Sequence, residues 1–136
     1  MGLGIYQNLE IFNSHMQRCF EIYESISGVQ LADILYGNEL ANRDQVNEVI
    51  YSGPVKFAFE YSLARAMMEM GVVPDFVTGH SFGEYTAACL ADVFSEEDAL
   101  RLVHYRGLLM NMTEEGAMLS VDITRDKLDQ LLTADI

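Results

Sequence analysis

At 136 residues the chain is long enough for one domain, and with half of its residues apolar it carries the material for a packed core, which excludes a disordered tail. Eight Lys and Arg stand against 21 Asp and Glu, a formal net charge of −13, so phosphate backbones and anionic membrane surfaces are disfavoured and nucleic acid is not an expected partner. No window approaches the ~18 uninterrupted apolar residues of a membrane span, and the two cysteines, Cys19 and Cys89, show no metal-ligand spacing; the expectation is a soluble, cytoplasmic protein with free, buried thiols and no metal.

Between about Leu9 and Ser27, Phe12, Met16, Cys19, Tyr23 and Ile26 recur every three or four positions, which predicts a helix with one buried stripe ended by Gly28. A helical turn over Leu31 to Leu35, a loop marked by Gly37-Asn38 and Asn42, and a short helix over Asp44 to Ile50 follow. Ser52-Gly53 reads as loop and Pro54 as a first helical position. The clearest helix then runs from Pro54 to Met70, with Val55, Phe59, Leu63, Ala66, Met67 and Met70 on its apolar side and Gly71 closing it. Met67, Met68 and Met70 read as core filler rather than ligand contacts.

Val72 to Thr78 has the composition of a short buried strand entered through a turn, and Glu84 to Ala91 is rich in small helix formers. Further on, Ser95 with Asp98 three residues later resembles a capping arrangement at the start of a long helix from Glu96 to about Met112. Acids such as Glu96-Glu97-Asp98 and Glu114-Glu115 are spread along the chain and read as solvated helix ends. Gly116 to Val121 reads as a second strand, and Thr124 as the cap of a last short helix through Leu132. Two strands are too few to cover the apolar faces of these helices, so the chain is expected to associate with itself or with a complementary piece, or to be partly molten.

Between the first strand and its following helix lies Gly79-His80-Ser81-Phe82-Gly83, a G-x-S-x-G core at a strand-to-helix junction. Glycines at 79 and 83 would let the chain turn sharply without side chains to crowd it. The Ser81 hydroxyl then stands clear, and the next amide faces an incoming carbonyl. The helix start adds free N–H groups and a positive dipole end beside a developing oxyanion. The competing reading of these residues alone is a Gly-Ser turn that happens to precede a helix.

Four ordered stretches resemble the acyltransferase domain of polyketide synthases and the malonyl-CoA:acyl carrier protein transacylases of fatty acid synthesis. Met1-Gly2-Leu3-Gly4-Ile5-Tyr6 resembles the family's M-G-x-x-L-Y, and Pro54 to Ala64 its Q-P-A-L-F-A-x-E-Y-A-L-A helix. Gly79 to Ala88 fits G-H-S-x-G-E-Y-x-A-A, and Arg106 to Met110 fits R-G-x-L-M. The resemblance implies a helix-rich, incomplete α/β-hydrolase-like core over residues 1–115 and the beginning of a small ferredoxin-like subdomain over 116–136. It implies transfer of a malonyl-type unit from coenzyme A through an acyl-Ser81 intermediate to the phosphopantetheine thiol of an acyl carrier protein. The Phe82 amide would supply half of the oxyanion hole, Arg106 would bind the free carboxylate, and His80 would line the site. Malonyl-CoA enters as acyl donor, with no permanently bound cofactor. Phe82 follows the serine where methylmalonyl-selective relatives tend to carry Gln, which favours malonyl.

The chain also departs from this pattern. A G-Q-G segment that supplies the second oxyanion amide is missing, Gly53 replaces the Gln of the Q-P pair, and no residue matches the family's catalytic histidine. His15 and His104 are poor substitutes; His104 lies two positions from Arg106 on one predicted helix, so the two point to different faces. Two other functions stay open on the sequence: a serine acyl hydrolase built on the same elbow, and a non-catalytic docking remnant of a synthase.

Overall fold

The computed structural model describes residues 1–37, 45–114, 116 and 119–132. Among them are seven helices: α1 (Leu3–Asn8), α2 (Glu10–Ser27), α3 (Leu31–Tyr36), α4 (Val49–Glu69), α5 (Gly83–Leu90), α6 (Glu96–Asn111) and α7 (Arg125–Leu131). No helix among the described residues is long and apolar enough to cross a membrane.

The core forms where α4 lies between α2 and α6. Phe12, Met16, Cys19 and Tyr23 of α2 are buried, on the stripe their spacing predicts, and Gly28 ends that helix at φ 72. They meet Val55, Phe57, Ala58, Tyr61 and Ala66 of α4 and Ala99, Leu100 and Val103 of α6. Helix α4 departs from expectation twice. It begins at Val49, so Ser52-Gly53 lies within a helix and Pro54 sits inside it rather than at its start. Packing decides this: Gly53 and Pro54 are buried against neighbouring helices, and that burial outweighs the lost N–H of proline. Its buried surface is also broader than one stripe because it has a helix on two sides, and Met67 and Met70 face solvent instead of filling the core.

Three glycines show why the chain can close this tightly. A Cβ at Gly107 would lie 3.0 Å from the Ile50 Cα, so the first turn of α4 rests directly on the α6 backbone. Gly2 caps α1 at φ 63, and a Cβ there would run into the Phe59 ring; α1 itself, which periodicity did not reveal, is held by this contact and by the stacking of Tyr6 on Tyr36. Gly53 approaches the Phe82 ring in the same manner, and that contact belongs to the site.

The expected strands are the clearest correction. Val72 to Thr78 is irregular, with a bend at Asp75 and no paired neighbour, and it is largely exposed rather than buried, with Phe76 95% accessible. A strand is stable only when another backbone takes up its N–H and C=O groups, and no described segment lies alongside. The described residues therefore contain no strand, and the fold seen is helical rather than α/β. Gly116 and residues 119–121 likewise lack strand geometry, while Ala117 and Met118 of the second expected strand lie outside the described residues, as do Asn38, Asn42, Asp44 and Glu115. The expected caps fare differently. Ser95 Oγ accepts from the Asp98 N–H at 3.1 Å and donates to the Asp98 carboxylate, whereas Thr124 occupies its cap position without a side-chain bond.

Candidate active site

Ser81 is one of two non-glycine residues with positive φ among the described residues, at φ 54. A left-handed serine is strained, and such strain persists only where the surroundings over-determine it. Here they do. The Gly83 N–H donates to the His80 carbonyl at 3.0 Å, the Glu84 N–H to the Ser81 carbonyl at 3.2 Å and the Tyr85 N–H to the Phe82 carbonyl at 3.1 Å, winding the chain directly from the elbow into α5. The segment before the serine crosses so close to this turn that a Cβ at Gly79 would lie 2.2 Å from both the Glu84 nitrogen and the Gly83 carbonyl carbon. Glycine at 79 is thus a steric requirement. Gly83 is not: a Cβ there meets nothing within 4 Å, so the expected equivalence of the two glycines does not hold within these residues.

The elbow leaves the serine exposed at the start of α5, whose cap is Phe82. Among the described residues neither the Ser81 hydroxyl nor the Phe82 amide has a hydrogen-bond partner, so consecutive residues carry one free hydroxyl and one free N–H donor. His80 is exposed beside them. A groove of about 580 Å³ runs along the elbow between Glu60 of α4, Phe76 to His80, and Thr86 and Leu90 of α5. Its floor is tied by the Thr86 hydroxyl donating to the Glu60 carboxylate at 3.0 Å.

Arg106 reaches the elbow through an aromatic. Its guanidinium carbon lies 5.8 Å from the centre of the Phe82 ring, within cation–π range, and the Arg106 side chain is otherwise solvent-exposed. The adjacent Gly107, pressed on α4, sets the height at which α6 offers that arginine. His80, Ser81 and Phe82 are thus consecutive at the N-terminal end of α5, and Arg106 stands over the Phe82 ring.

The other histidines face away. His104 Nδ1 is 3.0 Å from the Tyr23 hydroxyl on α2, and its removal from water lowers its pKa below the ordinary imidazole value. His15 Nε2 is 2.7 Å from a Glu69 carboxylate oxygen. Both cysteines are free and buried, and burial pushes the Cys19 thiol well up and the Cys89 thiol up to about 11, which keeps them protonated and unreactive. Cys19 donates to Glu96 at 3.2 Å, an acid that also receives Arg18. No group of His, Cys, Asp and Glu suited to a metal occurs among the described residues. The Gly53–Phe82 contact was not legible in the sequence, which marked Gly53 only as a departure from the family's Gln.

Residues 1–135 match the family model for the acyl transferase domain. Over 127 residues the chain is 31% identical to the probable polyketide synthase 17 of Dictyostelium discoideum, a match covering 93% of this chain and 5% of that protein. Among solved structures it resembles the acyl transferase domain of ZmaA, with a TM-score of 0.87 and 41% identity over 96% of this chain and 31% of that one. It also resembles the acyl transferase domain of SpnD, solved in complex with 2-(pent-4-yn-1-yl)malonyl, with a TM-score of 0.67 and 36% identity over 80% of this chain and 25% of that one. The chain thus spans a small part of its curated relative and about a third or less of these solved domains. On a family match along nearly its whole length, the chain belongs to the acyl transferase domain family found in polyketide synthases.

Proposed function

We propose that this chain forms the nucleophile-bearing part of a malonyl-type acyltransferase, which moves an acyl group from coenzyme A to the phosphopantetheine thiol of an acyl carrier protein. The left-handed Ser81, held by Gly79 at the start of α5, carries the reading. In the first half-reaction Ser81 Oγ attacks the thioester carbonyl as its proton passes to a base. The Phe82 N–H takes up the developing oxyanion, and the C–S bond breaks to release the coenzyme A thiol. In the second, the carrier thiol attacks the acyl-serine ester through the same hole and Ser81 is regenerated. Arg106 offers a planar guanidinium to the free carboxylate of the acyl unit, and the malonyl derivative held by the SpnD domain supports that substrate class. His80 lines the mouth.

The proton acceptor is assigned to the part of a complete domain that these residues do not cover, since His15 and His104 are engaged elsewhere. The same completion accounts for the exposed Val72 to Thr78, proposed to pair as a strand in an α/β-hydrolase-like core over residues 1–115, with 116–136 opening a ferredoxin-like subdomain. Intact-mass measurement after incubation with malonyl-CoA, acetyl-CoA and neither, on wild type and Ser81→Ala, tests the reading. A malonyl adduct on wild type alone is expected. An adduct retained in Ser81→Ala would count against it, whereas none on folded wild type would mark these residues as an incomplete catalyst that lacks its proton acceptor.

A further inference from the structure

Gly53 lies on α4, far from the elbow in sequence, yet its open face is occupied by the residue after the nucleophile. A Cβ at 53 would stand 3.2 Å from Phe82 Cε2, 3.4 Å from Phe82 Cζ and 3.7 Å from the Val103 carbonyl. The same ring is flanked by Tyr85, with centroids 5.1 Å apart, and carries the Arg106 guanidinium 5.8 Å from its centre. The ring is thus seated on a glycine with the cation at its face. A glycine inside a helix is conformationally costly, and here the space left by its missing side chain is filled by the Phe82 ring.

We infer that Gly53 is a positioning residue: its missing side chain seats the Phe82 ring, and that ring fixes the Arg106 guanidinium beside Ser81, so that selection of a carboxylated over a neutral acyl unit depends on position 53. The functional half of this inference rests on the reading proposed above; the Gly53–Phe82–Arg106 coupling does not. A side chain at 53 brings atoms into the 3.2–3.4 Å range, so the ring must shift, and its position relative to the Arg106 guanidinium changes with it.

The coupling is read from the Arg106 side-chain Hε resonance, assigned with Arg106→Lys. An aromatic face shields a proton held over it, so Phe82→Leu should move this resonance downfield. Gly53→Ala should move it the same way, and should have no further effect in the Phe82→Leu background. Alanine favours the helix at 53, so the variant keeps its fold, and a thermal melt checks this. An unmoved resonance in Gly53→Ala, or an equal displacement with Phe82 already removed, overturns the coupling. In the adduct assay, loss of a cation–π contact corresponds to a roughly two- to fivefold fall in the malonyl-to-acetyl ratio for Gly53→Ala. A ratio unchanged while the resonance moves overturns the role in selection. An adduct that persists in Ser81→Ala refutes the proposed function instead, and the resonance still decides the coupling.

Discussion

The two glycines of the G-x-S-x-G turn should respond oppositely to alanine. At Gly79 the added methyl would meet the Glu84 nitrogen and Gly83 carbonyl carbon at 2.2 Å and the Gly83 oxygen at 2.3 Å. All three are backbone atoms of the turn that starts α5, so no side-chain rotation relieves the overlap. The crossing must open by more than an ångström, and overpacking of this kind costs about 1–3 kcal/mol. With a urea m-value of about 2 kcal/mol/M for a small domain, a loss of about 2 kcal/mol lowers the unfolding midpoint by about 1 M. Gly83→Ala places its methyl in open space on a helical residue and should leave stability within roughly ±0.5 kcal/mol of wild type, a midpoint shift of at most about 0.25 M. Both variants and wild type are unfolded in urea, followed by far-ultraviolet circular dichroism, and each is then tested for the Ser81 adduct. Equal midpoints for the two variants, or a larger loss at Gly83 than at Gly79, would refute the steric account of the elbow.

The strain at Ser81 should be separable from its chemistry. Ser81→Gly removes a left-handed non-glycine residue worth about 1–2 kcal/mol, partly offset by unfolded-chain entropy, so it should be more stable than Ser81→Ala in urea while both lose the adduct; equal stability would show the elbow unstrained. His104 should make stability pH-dependent. Its folded pKa is lowered by burial, so the unfolded chain binds the proton more readily, and stability present above pH 6.5 should fall as pH drops from there toward the folded value. In His104→Gln the urea midpoint should lose that part of its slope between pH 7.5 and 5, and a slope identical to wild type would remove His104 as the source. Phe12→Ala empties a fully buried site facing the Phe59 ring at 5.4 Å and should cost about 3–5 kcal/mol; a loss under 1 kcal/mol would show that α2 does not anchor the core.

Local periodicity carried the helices well where one face alone is buried. The α2 stripe, its Gly28 stop and the Ser95 cap were legible because each depends on residues within a few positions of one another. For α4 the same reasoning misplaced the start and the methionines, since a helix clasped from two sides has no single stripe and a buried glycine and proline inside it look like a loop. The strand expected at Val72 to Thr78 failed for a different reason: apolar composition marks a segment that can pair, but pairing needs a neighbour, and the described chain brings none.

The site divides in the same way. Sequence alone was sufficient to mark the turn that carries Ser81 into α5, because a left-handed turn into a helix demands particular residue types at consecutive positions, whereas Arg106 was singled out by the family resemblance alone. It was also sufficient to separate His104 from Arg106, since two positions on a helix diverge in direction. Tertiary structure decided the rest: that Gly79 rather than Gly83 is sterically indispensable, that Gly53 seats the Phe82 ring, that this ring carries Arg106, and that Gly107 lets α6 touch α4. The Gly53, Phe82–Arg106 and Gly107 contacts join segments whose sequence separation exceeds any local period, the Gly79 contact depends on the path of the backbone through the turn, and close packing rather than residue preference selects all of them.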